Sequence, residues 1–163
     1  NSNPPHKVQN KKTDINIRIK MVKEAISDNH KIEINDYDYR NNSIHYTYQT
    51  IYYFKKTYPD DKFYFIIGED SFLDIKKRKN YEQILKENLI VFKRYSETNS
   101  SLLSEINKIK KYNKNIYLID NIALDISSTL IRSLVKKKKS IKYLVDDKVI
   151  EIINKENLYV WFF

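Results

Sequence analysis

Asp125-Ile126-Ser127-Ser128-Thr129-Leu130-Ile131-Arg132 reads as a strand end turning into a helix. Ser127 suits the N-cap position, because its hydroxyl can accept from a free amide of the first turn. Leu130, Ile131, Leu134 and Val135 recur at helical spacing and define a buried face. Ser128 and Arg132 lie four apart and share the other face. Arg132 is the unexpected choice, since a cation near a helix N-terminus meets the positive end of the dipole. A bound anion reverses that sign, because amides, hydroxyls and a guanidinium then point at one place. Phosphate is the natural candidate.

Strands and helices alternate outward from this segment. Ile116–Ile119 precedes it as a strand, and Asp146 caps a last helix through Val149, Ile150, Ile152 and Ile153. Upstream, Ser101–Tyr112 is a helix through Leu102, Leu103, Ile106 and Ile109, and Leu89–Phe92 is a strand. Tyr81–Lys86 reads as helical. Phe63–Ile67 is a nearly continuous apolar run and reads as a buried strand. Thr47 can cap a helix carrying Ile51, Phe54 and Tyr58, stopped by Pro59. Lys31–Asn35 alternates and reads as a short strand. Thr13 or Asp14 can cap a helix with Ile15, Ile19, Val22 and Ile26, and residues 1–12 read as a loop. The pattern predicts one α/β domain over residues 1–163, built on a mostly parallel sheet with helices on both faces.

The composition narrows the chemistry. With no Cys there is no disulfide, thiolate metal site or Cys nucleophile, and a reducing compartment, the cytoplasm, is expected. No apolar run approaches the roughly 18 residues of a membrane span. The net charge of +9 invites a nucleic-acid reading. Only five of the 30 basic residues are Arg, however, and Lys, Asn, Ile and Tyr share A/T-rich codons. Base bias can therefore supply the excess. Lys136–Lys139 and the run Lys76-Lys77-Arg78-Lys79 read as solvated surface, or as a field around an anionic substrate. No RNA-binding signature is present, and neither nucleic acid nor a membrane is an expected partner.

Glycine occurs once, at Gly68, where average usage gives about 11. No glycine-rich dinucleotide fingerprint or P-loop fits in such a chain. Ligands of open α/β sheets sit beyond the C-terminal ends of strands. Gly68-Glu69-Asp70-Ser71 has that context. Gly68 can admit a ligand to the backbone or take positive φ. Asp70 can accept from ribose hydroxyls or cap the next helix.

The two segments together, in this order, resemble the nicotinate mononucleotide adenylyltransferases of the nucleotidylyltransferase superfamily. Asn3-Pro4-Pro5-His6-Lys7 is similar to the family's P-P-H-K loop, and Arg18, Met21 and Ala25-Ile26 to its R-x-x-M-x-x-x-A-I helix. Tyr46-Thr47 with Thr50 resembles S-Y-T-x-D-T, and Phe65–Asp70 resembles F-I-I-G-A-D. Ile126–Arg132 resembles I-S-S-T-x-I-R, and Tyr143-Leu144-Val145 with Val149 and Leu158-Tyr159 resembles the tail. The resemblance implies a Rossmann-like nucleotidylyltransferase fold. It also implies adenylyl transfer from ATP to nicotinate mononucleotide, giving deamido-NAD and pyrophosphate, with Mg²⁺ on the phosphates. Ser127, Ser128 and Arg132 would hold ATP phosphates, and Gly68 and Asp70 would meet the adenosine ribose. Arg94 would lie near the adenine, Tyr46, Thr47 and Arg78 near the nicotinate end, and His6 and Lys7 near the reacting phosphates.

The sequence also departs from the family. Gln49 replaces an Asp, Glu69 an Ala and Asp146 a Pro, and Arg78 falls where a Trp often stands. A guanidinium can stack on a ring or pair with a carboxylate. The family's G-G-S-F-D-P-x-H-x-G-H loop has no counterpart, since the three His stand apart at 6, 30 and 45. The expectation is therefore an N-terminally incomplete copy of a longer protein, inactive on its own. Preference for the amide mononucleotide and a non-catalytic nucleotide-binding remnant are the alternatives. Tyr46 and Thr47 also read as a core aromatic and a helix cap, and His6 and Lys7 as an exposed loop. Trp161-Phe162-Phe163 is apolar enough to pack on the core or on a partner, so a homo-oligomer is open.

Overall fold

A computed structural model describes residues 13–39, 45–93, 100–119 and 126–160. The chain divides into two compact units, the first running essentially from 42 to 124 and the second combining 6–41 with 125–163.

The first unit holds three parallel strands, β1 (Tyr64–Gly68), β2 (Asn88–Phe92) and β3 (Ile116–Ile119), in the order β1-β2-β3. Helix α2 (Thr47–Thr57) precedes them, after α1 (Ile15–Ala25) of the second unit. Parallel neighbours need long crossovers. Helices α3 (Glu69–Leu73) and α4 (Tyr81–Ile84) supply the first and α5 (Ser100–Lys110) the second. Strand alternation puts Phe65, Ile67, Leu89, Val91, Ile116 and Leu118 on one face. There they pack with Phe72, Ile75, Ile84, Leu102, Ile106 and Ile109.

The opposite face corrects one expectation. Phe63–Ile67 was read as buried throughout, yet Ile66 is 62% exposed and Tyr64 is also exposed. An apolar run signals a strand without telling which face is covered. Phe63 lies just before β1 and packs its ring against Phe54 and Tyr58. Residues Tyr81–Ile84 are helical, and the chain then turns at Leu85 and Lys86.

Two polar devices fix this unit. Buried Asn113 donates through Nδ2 to Leu85 O at 2.7 Å and Glu87 O at 2.8 Å, and its Oδ1 accepts from Asn115 N at 2.8 Å. These bonds tie the entry of β2 to the entry of β3. Lys76 Nζ meets Glu105 Oε1 at 2.6 Å, joining the short 3₁₀ turn Ile75–Lys77 to α5. Lys108 Nζ lies 3.6 Å from Glu105 Oε2.

The second unit contains α1 (Ile15–Ala25), α6 (Ser128–Lys136) and α7 (Asp147–Lys155). Asp14 caps α1, accepting from Asn16 N at 2.8 Å, while the Thr13 hydroxyl donates to Tyr159 Oη at 3.4 Å. Asp146 caps α7, accepting from Lys148 N at 2.9 Å. Ile131, Ile141 and Ile153 form the core, with Met21, Leu134, Val135, Val149 and Leu158 against it. The buried stripe of α6 begins at Ile131, because Leu130 is 37% exposed.

Residues Lys31–Asn35 do not form a strand. Asn29 Oδ1 accepts from Lys31 N at 3.0 Å and Asn35 Oδ1 from Tyr37 N at 2.9 Å, so side chains take backbone donors that a ladder needs. No described strand pairs with this segment.

The helix ends show how a glycine-poor chain turns. Lys138 N donates to Val135 O and Lys139 N to Leu134 O, both at 2.9 Å, which is a Schellman arrangement. The αL position belongs to Lys138, at φ 53°. Asn157 takes the same place after α7, at φ 47°. An αL lysine is strained where glycine is not. Lys138→Gly is therefore expected to raise stability by about 0.5–1 kcal/mol, measured as a higher urea midpoint at unchanged slope.

Lys76, with Lys108 assisting, holds the Glu105 carboxyl below its ordinary range. A folded-state pKa below the unfolded one contributes stability above the unfolded value, near pH 4.3, and loses it as pH falls through the folded value. Glu105→Gln should thus lower the melting temperature at pH 7. The gap to the parent protein should close on acidification below about pH 4.

Candidate functional site

The C-terminal end of β1 delivers Gly68 next to Phe92, and Phe92 next to Ile119. Gly68 has φ −77° and ψ 157°, an extended conformation open to any residue, so positive φ is not its purpose. A methyl group placed on it meets no atom of the described residues within 4 Å. Neither backbone nor packing requires the one glycine of the chain where it stands. Gly68 is also the N-cap of α3, so Asp70 is not the cap and lies in the first turn, exposed. Glu69, where the resemblance has Ala, is buried.

A second group gathers at the start of α2 in the same unit. Tyr46 is the N-cap, and its amide donates to Gln49 Oε1 at 2.9 Å. Gln49 thus supplies the reciprocal half of a capping box. Thr47 is the first helical residue, which corrects its assignment as the cap. Its Oγ1 instead accepts from Arg78 Nη1 at 3.1 Å, across 31 residues of sequence. Arg78 is half-buried, and burial pushes its guanidinium below the ordinary value while Asp74 pulls it back. Lys79 Nζ sits 4.6 Å from the centre of the Tyr46 ring. Tyr46 and Tyr48 stack at 6.2 Å and 22°. The structure therefore brings Tyr46, Thr47 and Arg78 together and adds Lys79 and Gln49, which the sequence reading did not select. The run Lys76–Lys79 was a signal for Lys79, but only folding shows which of its cations reaches an aromatic ring.

The third group lies in the second unit. Ser127 Oγ accepts from Leu130 N at 3.1 Å, so the expected N-cap forms. Ser128 opens α6, exposed. Arg132 is exposed, and its Nη2 donates to Thr129 Oγ1 at 3.4 Å. His6, Lys7 and Arg94 lie outside the described residues.

Residues 1–134 match the cytidylyltransferase-like family. A probable nicotinate-nucleotide adenylyltransferase of Clostridium novyi is 40% identical over 159 residues, covering 96% of this chain and 80% of that protein. Its counterpart in Clostridium tetani is 42% identical over the same coverage. The chain belongs to the nicotinate-nucleotide adenylyltransferase family. A solved structure of this family, the Plasmodium falciparum nicotinic acid mononucleotide adenylyltransferase complexed with APC, aligns with a TM-score of 0.71 at 25% identity. That alignment covers 90% of this chain and 76% of the other. The same enzyme complexed with NaAD gives a TM-score of 0.72 at 24% identity, over 93% and 78%. The α/β nucleotidylyltransferase fold read from the sequence is thus the fold of the chain.

Family membership makes the open space over Gly68 testable. Gly68→Ala should leave the fold intact, with stability equal or raised by about 0.4–1 kcal/mol. If Gly68 meets the adenosine ribose, as the resemblance implies, equilibrium ATP binding should nonetheless weaken at least about tenfold, on the order of 1.4 kcal/mol. Calorimetric titration beside urea unfolding checks both halves.

Proposed function

We propose that this protein joins ATP and nicotinate mononucleotide into deamido-NAD, releasing pyrophosphate. The observation that carries this reading is identity of about 40% with nicotinate-nucleotide adenylyltransferases over 96% of the chain. The free glycine at the end of β1 supports it. An oxygen of the mononucleotide phosphate attacks the α-phosphorus of ATP. The bond to the bridging oxygen breaks, and pyrophosphate leaves with that electron pair. No covalent enzyme intermediate is needed, so the protein contributes positioning and charge neutralisation.

Two polyanions repel, and cations and amides must offset that repulsion. Ser127, Ser128 and Arg132 hold ATP phosphates in this reading, and Gly68 and Asp70 meet the adenosine ribose. Tyr46, Thr47 and Arg78 take the nicotinate end, Arg94 the adenine side, and His6 and Lys7 the reacting phosphates. Among the described residues no three His, Asp or Glu side chains gather in a metal-binding group. Mg²⁺ enters this reading as part of the substrate MgATP, carried on phosphate oxygens. Both units belong to one nucleotidylyltransferase domain, and the protein works in the cytoplasm.

Pyrophosphate release by the full-length protein with ATP and either mononucleotide tests the reaction. Faster kcat/KM for the acid is expected; ATP binding without pyrophosphate release would sink the reading. Arg132→Ala should lower kcat/KM for ATP by about 10²–10³-fold, the size of one lost transition-state donor. Its unfolding midpoint should stay unchanged, because among the described residues the exposed guanidinium bonds Thr129 alone. Unaltered ATP kinetics would remove Arg132 from the phosphate site.

A further inference from the structure

Two consecutive cations converge on two consecutive residues at the start of α2. Arg78 reaches Thr47 Oγ1 at 3.1 Å, and Lys79 Nζ lies 4.6 Å from the Tyr46 ring centre. Neither contact neutralises charge. A hydroxyl is a neutral acceptor, and a ring face attracts a cation without cancelling it. Of the acids nearest in sequence, Asp74 acts on Arg78 through space but is engaged by Lys77 Nζ at 2.6 Å, and Glu82 is exposed. Among the described residues no carboxylate forms an ion pair with Arg78 or Lys79. Two adjacent like charges, one half-buried and one exposed, repel unless an anion joins them. Beside them, Tyr46 and Tyr48 present a stacked aromatic pair. A planar ring bearing a carboxylate matches both features, and its amide matches only one.

We propose that Lys79 is a specificity-determining residue which, together with Arg78, selects the carboxylate-bearing mononucleotide over its amide. The assignment rests on the adenylyl-transfer reading and deepens it. Arg78 supplies a fork fixed by Thr47, whose remaining N–H groups suit a carboxylate. Lys79 supplies a second, exposed charge beside the Tyr46 ring.

The test compares kcat/KM for nicotinate and nicotinamide mononucleotides at saturating MgATP in the full-length protein. Lys79→Met keeps the aliphatic stem and removes the charge. It should lower the acid-to-amide ratio about tenfold, the size of one partly solvated charge-assisted hydrogen bond. Lys79→Arg should restore most of that ratio, and Lys79→Gln should repeat the loss with a neutral polar side chain. Exposed Lys79 tolerates all three without unfolding. An unchanged ratio in Lys79→Met, or equal losses on both substrates, would overturn the assignment while leaving the reaction standing. A parent protein that turns over neither mononucleotide would overturn the reaction and this assignment with it.

Discussion

The first unit depends on the central strand β2. It has a parallel neighbour on each side, and its Leu89 and Val91 are fully buried. Their burial fixes the register, since a slip of one residue would turn both to the opposite face. That register sets Gly68, Phe92 and Ile119 in one row at the C-terminal ends of the three strands. The row is where open α/β sheets receive ligands. Asn113 guards the other end by binding the carbonyls of Leu85 and Glu87 just before β2. The position of the glycine therefore follows from apolar packing several residues away.

Much of this was legible because strands and N-caps are local. Residues 89–92 and 116–119 stood out as apolar runs, and Ser127 and Asp146 as acceptors just before helical periodicity. Both caps form as read. Lys31–Asn35 failed because alternation says nothing about a partner strand, and Asn29 and Asn35 occupy backbone donors nearby. Thr47 failed for a different reason. A Thr before an apolar helix looks like a cap, but its acceptor is taken by an arginine 31 residues away. Lys79 escaped notice likewise, because a cation run does not reveal which member meets a ring.

Helix C-termini were the least legible part, and the single glycine explains why. The usual mark of a helix end is glycine at an αL position. Here Lys138 and Asn157 carry that conformation, and neither residue type announces it in sequence. Asn tolerates αL through its short polar side chain, whereas Lys gains nothing comparable. Glycine is thus absent where the backbone would favour it and present at β1, where the backbone does not require it. That inversion is difficult to attribute to folding. The proposed contact of Gly68 with the adenosine ribose would account for it.

The distribution of cations carries the same logic. Lysine serves the described ion pairs Lys55–Glu87, Lys76–Glu105, Lys108–Glu105, Lys77–Asp74 and Lys148–Glu24. Arg78 and Arg132 instead donate to threonine hydroxyls, Thr47 and Thr129. A guanidinium has five donors in a fixed plane, so one bond to a hydroxyl orients it and leaves others for an anion. A lysine in the same place would offer a point charge without that planar fork. In a chain where only five of 30 basic residues are arginine, these two share one arrangement, each oriented by a neutral hydroxyl. In the proposed reaction one would take a ring carboxylate and the other a phosphate.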